Sequence, residues 1–239
     1  MKRYIYLLAF CFYIFFVLCL FGVGCFDNNG NNGACSETNV SITVCDPDAG
    51  PFSLNINNPF FPVVVDSQSM LEGVDDEGAT ILLIITVLDE TEVVADVTTR
   101  VLEEMELVDD ELIEVSRNFF AQAPDGTVCY FGEEVDIFED GVIVSHEGAW
   151  RADEPGNQPG IIMLANPVVG DIYSQEDAPE VAEDQAEVQA LGETIVVPAG
   201  TFNDTLRTED CNRLDGTTDT KVFVRDIGLA IDQDVQLLP

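Results

Sequence analysis

A single histidine, a single lysine beyond the N-terminal segment and a large surplus of carboxylates bound the chemistry open to this chain of 239 residues. A serine or cysteine hydrolase needs a base beside its nucleophile. Here His146 is the sole histidine, and neither Gly-x-Ser-x-Gly nor His-Glu-x-x-His occurs. After Lys2 the only lysine is Lys221, and no glycine-rich phosphate loop follows a strand, so nucleotide use is not expected. Carboxylate pairs for glycoside chemistry can be drawn at Glu103 with Glu104 or Asp109 with Asp110, but neighbours in a strand or turn point apart. Asp46, Asp48 and Gly50 are arranged like the start of a calcium loop, yet the distal glutamate is missing, and Pro47 beside Cys45 suits a turn better. His146 shares strand parity with Val142 and Val144 and is expected to be a partly buried structural or edge residue. No catalytic residue can be named, so no enzyme is expected. No cofactor is called for, with calcium the one cation considered.

The charge balance narrows the partners. There are 45 acidic and 9 basic residues, a formal net charge of −36, and two of the basic residues are Lys2 and Arg3. Such a field repels phosphate backbones and anionic headgroups, which excludes a nucleic-acid partner and a basic membrane patch. Two readings of the acidity remain open, a solvated surface that maintains solubility and specific binding of calcium or another divalent cation. With 46% apolar residues the body has enough material for a core.

The N-terminus reads as an address. Lys2 and Arg3 precede an uncharged apolar run over 4–21, followed by Gly22, Val23, Gly24 and Cys25, which is how a secretory signal is built. Residues 21–25 resemble the lipobox of bacterial lipoprotein signals, in which small residues precede a cysteine that becomes lipidated, although Gly22 stands where that pattern usually has leucine. The expectation is a signal peptide over 1–24, a lipid on Cys25, and an exported protein held to a membrane in the cell envelope, on the outer-membrane or periplasmic face. An uncleaved anchor and simple secretion are the alternatives, since about 20 apolar residues can span a bilayer.

Residues 25–57 begin with a run of Asn, Gly and Asp that reads as a polar tether. Cys11 and Cys19 fall in the signal, which leaves Cys35, Cys45, Cys129 and Cys211 as disulfide candidates with three connectivities in an oxidising compartment. The favoured one pairs Cys35 with Cys45, closing a short loop at the tether's end, and Cys129 with Cys211, stapling distant strands.

Residues 58–239 read as one all-β, mainly antiparallel domain. Short apolar runs are separated by turn chemistry at Asp75 to Gly78, Asp109-Asp110, Pro124 to Gly126, Glu139 to Gly141 and Asp215-Gly216. On one strand Val97, Thr99, Val101, Met105 and Leu107 share a face, with Glu103 the exception, and Arg100, Glu104 and Glu106 lie opposite. Ile113, Val115, Phe119 and Ala121 share another, and Leu229, Ile231, Val235 and Leu237 a last one. Residues 81–88 are apolar on both parities and call for cover on both faces. The pattern predicts a curved sheet, half-barrel or sandwich, with a long loop crossing it over 152–167 and at most a helical turn or two over 178–186. Trp150, Phe119, Phe120, Tyr130 and Phe131 are expected to fill the core.

Seven segments together resemble an uncharacterised family of bacterial secreted proteins and lipoproteins: Asn58 to Pro62, Val128 to Glu133, Gly148 to Trp150, Gln158 to Met163, Val169 to Asp171, Val197 to Phe202 and Asp226 to Leu229. The resemblance implies a lipoprotein-carrier-like β fold with an apolar concave face and carries no established activity. In that family an aromatic usually stands at the positions of Cys129 and Cys211, and their joint replacement supports pairing these two. The functional expectation is a non-enzymatic binding module for an apolar ligand or an envelope partner protein, with an acidic cation-binding or structural surface protein as the alternative.

Overall fold

The computed structural model describes residues 35–239. Cys25, the export segment and the start of the expected tether lie outside the described residues. The principal strands are β1 (Gln68–Val74), β2 (Thr80–Val94), β3 (Val97–Val108), β4 (Glu111–Gln122), β5 (Val128–Glu139), β6 (Gly160–Met163), β7 (Ile172–Ser174), β8 (Asp184–Leu191), β9 (Thr205–Asn212), β10 (Thr218–Val224), β11 (Gly228–Asp232) and β12 (Val235–Leu237). All belong to one antiparallel sheet in the order β6-β5-β4-β3-β2-β1-β12-β11-β10-β9-β8-β7. The chain thus makes two meanders joined where β1 pairs β12, so β6 and β7, consecutive in the chain, become the two far edges.

The turns explain the meander. Ala95-Asp96 and Asp109-Asp110 occupy two-residue loops with positive φ at both positions, and Asp140-Gly141 does the same after β5. Two consecutive left-handed residues match the twist of tight hairpins, and after glycine a short polar side chain tolerates them best; Ala95 is the exception. The curvature brings the edges together at one point, where Gln158 bridges Asp177. Gly160 makes this possible, because a Cβ there would lie 2.0 Å from the Gln175 carbonyl oxygen. The sheet is strongly curved without closing into a barrel.

The residues before β1 depart from the expectation of a tether over 25–57. Val40, Ile42 and Val44 pack on the core, Cys45 and Ile56 are buried in it, and the amides of Asn39 and Val40 donate to the Ile172 carbonyl of edge strand β7. The favoured disulfide pairing is also corrected. Cys35 bonds Cys211 and Cys45 bonds Cys129, with Cα atoms 5.8 and 5.5 Å apart. The reason is the path of the segment: Ser36 accepts from Gln185 on β8, and the turn Ile42–Cys45 reaches β6 and β5. Residues 35–45 form a strap across the seam between the sheet's two edges, so each cysteine meets a different side of the seam.

Further corrections are local. Residues 178–186 contain no helix: Ala178 bridges Ala182 and β8 begins at Asp184. The loop over 152–167 contains the edge strand β6. The last strand is a hairpin turning at Gln233, whose φ is +49°. Leu229 and Ile231 are half-buried beside the buried Gly228 and Ala230. Over 81–88 only the odd residues are buried; Leu82, Ile84, Thr86 and Leu88 are half-buried on the convex face. His146 is exposed, with Nδ1 2.8 Å from the Val135 carbonyl and 2.9 Å from Asp136, so it is an edge residue and not a partly buried one.

Candidate functional site

The largest correction concerns which face of β3 and β4 is the inner one. Val97, Thr99 and Val101 are buried, but further along β3 the buried residues are Leu102, Glu104 and Glu106, while Met105 and Leu107 are only half-buried. On β4 Glu114, Ser116 and Asn118 are buried and Val115 is half-buried. The two faces trade roles because the end of the sheet near Val97, Val101 and Phe119 is covered on both sides, with Phe52 set edge-on against Phe131 at 5.4 Å. Beyond that cover only the concave face remains inside, and the acids lie on it.

Register turns this into geometry. Three cross-strand rows run over β2, β3, β4 and β5: Leu83, Glu106, Glu114, Ile137; then Ile85, Glu104, Ser116, Val135; then Val87, Leu102, Asn118, Glu133. Directly paired residues of antiparallel strands share a face. The centre of the concave wall is therefore polar on β3 and β4, and apolar on β2. Across the curl a second row places Asp232, Lys221, Thr208 and Val188 side by side on β11, β10, β9 and β8. Lys221 Nζ is 3.0 Å from Asp210 Oδ2, both side chains being 8% exposed, and Gln175 donates to the same oxygen at 3.3 Å. The Tyr130 hydroxyl donates to Asn118 Oδ1, and Asn118 Nδ2 donates to Ser116 Oγ at 3.1 Å.

These carboxyls hold protons that exposed ones would release. Burial is the main cause of raising Glu104 to about 8, with Asp232 and Glu114 adding and Lys221 opposing. Burial raises Glu114 to about 7. Glu133 is held well above the carboxylate range by burial and then by Glu176 and Glu114, against a side-chain hydrogen bond with Tyr130. Asp232 rises to about 6 through burial, offset by Lys221. Glu104 Oε2 and Glu114 Oε2, both buried, find no hydrogen-bond partner among the described residues.

Two spaces adjoin this wall. A void of about 10 Å³ is lined by Leu83, Glu104, Glu106, Glu114 and Ser116, room for one water molecule. A cleft of about 250 Å³ lies between β1 to β3 and the hairpin β10–β11, and Glu104 lines it too. Its other walls are chiefly apolar, with Val63, Ile85, Val87 and Leu102 on one side and Phe223 and Leu229 on the other; Ser67, Gln68 and Ser69 add polar groups. Phe61 and Pro62 complete it and come from the first of the seven segments, as Ile227, Gly228 and Leu229 come from the last. Asn58 fixes the first. Its buried amide donates to the Leu164 and Gly126 carbonyls at 2.9 and 3.1 Å, and its Oδ1 accepts from the Phe60 amide at 3.0 Å. The Asp226 amide then donates to the Pro59 carbonyl at 2.7 Å, binding the two segments to each other.

The residues singled out from sequence are placed elsewhere. Asp46 caps the turn Pro47–Ala49 by accepting from the Asp48 amide at 2.9 Å. Among the described residues no group of three or more His, Cys, Asp or Glu side chains is set to hold a metal ion. Trp150, Tyr130, Phe120 and Phe61 form a string of ring contacts at 5.3, 4.7 and 5.1 Å that ends at the cleft. The alternation does not predict the buried acids; the signal the sequence holds is Glu103, which leaves acids on both parities of β3.

No protein-family model and no curated protein matches the chain. Among solved structures it is similar to a Parabacteroides distasonis protein described as a "putative lipoprotein", at 12% identity and a TM-score of 0.35, over 75% of this chain and 95% of that one.

Proposed function

We propose that this chain is a non-catalytic exported lipoprotein, anchored through Cys25, whose curved sheet binds a small apolar ligand in the cleft between β1 to β3 and β10–β11. The observation that carries the binding role is the cleft itself. Apolar side chains from both meanders line it, and its volume of about 250 Å³ admits a small ligand. The address rests on the basic, apolar and small-residue order of 1–25.

The test is mass spectrometry on protein purified from its own membrane, native and denaturing, beside Ser69→Trp, which fills the cleft from the half-buried Ser69 of β1. The expected result is a denatured mass beginning at an acylated Cys25 and, in the native spectrum, an apolar adduct that the variant lacks. An unacylated chain would refute the anchor. An adduct that persists in a folded Ser69→Trp protein would refute the cleft.

A further inference from the structure

Taking the cleft as the binding site, we propose that its ligand carries a cationic amine head, an aliphatic ammonium whose chain lies among Ile85, Leu102 and Phe223 and whose nitrogen meets Glu104. Three observations carry this. Glu104 is the one acidic residue lining the cleft, it is 6% exposed, and its Oε2 has no hydrogen-bond partner among the described residues. Asp232 of β11, Glu114 of β4 and Lys221 of β10 act on it, it interacts in turn with Glu133 of β5, and Glu106 shares its void. Of these only Lys221 is positive, and it already faces Asp210 at 3.0 Å. An ammonium beside Glu104 therefore enters a surrounding of carboxyl oxygens, which can accept from it and which attract it where they are ionised, whereas a carboxylate-headed ligand gains neither and is repelled by any that are ionised.

The neutral alternative is weaker on the same geometry. A protonated Glu104 can donate one hydrogen bond to an alcohol or carbonyl, while an ionised Glu104 accepting from an ammonium makes a charge-assisted bond in an apolar wall. Because the carboxyl of the free protein is held protonated by its burial, binding an ammonium must expel that proton to solvent. The exchange is balanced: one proton leaves as one cation enters.

The experiment uses the full chain in lipid nanodiscs at about 0.15 M salt, where exposed charges are screened. Hexylammonium, hexan-1-ol and hexanoate are titrated by calorimetry against the protein, with empty nanodiscs subtracted. The expected order is hexylammonium at least tenfold tighter than hexan-1-ol, and hexanoate weakest. At pH 7, runs in buffers of different ionisation enthalpy should show close to one proton released per amine and none per alcohol. Glu104→Gln should abolish the preference, bringing the amine to the affinity that the alcohol has in the same variant. Equal binding of amine and alcohol, or a preference that survives in Glu104→Gln, overturns the amine assignment and leaves the cleft standing. If none of the three probes binds, the cleft reading falls and the assignment with it.

Discussion

Replacing Glu104 with Gln removes one proton-binding site from the core while keeping its shape, and the consequence for stability can be worked through with its sign. The carboxyl moves from an ordinary 4.5 to about 8 on folding, chiefly through burial. Between those values the native chain holds a proton that the unfolded chain has released, so rising pH favours unfolding. The group's contribution is fully present below about pH 4.5 and is lost as pH rises through 8. At pH 7 the difference is about 2.5 pH units at ~1.4 kcal/mol each, or roughly 3 kcal/mol, growing to about 5 kcal/mol by pH 9. Gln pays no such cost. The variant's stability relative to the parent should therefore climb by about 3 kcal/mol between pH 4 and pH 7, whatever constant offset its hydrogen bonding introduces. Trp150, the only tryptophan and almost fully buried, reports urea unfolding with the disulfides intact. Parallel stability curves for the two proteins from pH 4 to pH 9 would refute a protonated Glu104 in the native core.

Two further outcomes follow from the packing. Removing either disulfide as a pair, Cys35→Ser with Cys211→Ser or Cys45→Ser with Cys129→Ser, opens closures of 176 and 84 residues. Each pair should cost about 5 kcal/mol by loop entropy in urea unfolding, and a non-reduced digest that yields Cys35 linked to Cys45 would contradict the strap. Lys221→Met leaves Asp210 buried without its ammonium. A loss of roughly 3 to 5 kcal/mol is expected in urea unfolding at pH 7, and adding Asp210→Leu should recover most of it; a double variant no more stable than Lys221→Met would show that the uncompensated carboxylate is not its source.

The fold class and most hairpins were legible because they depend on local chemistry. Asp109-Asp110 and Asp140-Gly141 turn where left-handed φ is cheapest, and the runs between them have strand period. What was not legible depends on cover from afar. The side of Val101 is buried at the end of the sheet where Phe52 packs on Phe131 and Arg151 lies over Phe119, and the side of Glu104 where the second meander curls round to face it. Alternation tells which residues share a face; it does not tell which face will be inside. The same limit applies to Cys35 and Cys45. Ten residues apart in sequence, they suit a short loop, but a strap drawn across a seam carries them to opposite edges.

The strap, the acids and the cleft can be understood together. Because β6 and β7 are consecutive in the chain yet lie at the two edges, closing the curl depends on the contact at Gly160, the bridge from Gln158 to Asp177 and the strap with its two disulfides. Backbone pairing alone does not hold the concave face shut. The covalent closure instead keeps Glu104 within reach of Asp232 and Lys221 on the opposite meander, at the cost of burying acids with few cations among them. In a core built only for stability those positions would be apolar, as Leu83 and Ile85 are on the adjacent strand, and replacing buried charge with well-packed apolar groups is often stabilising. Of these acids Glu104 also reaches the apolar cleft and gives it one ionisable group on its inner wall, which is the feature the proposed selection of a head group depends on.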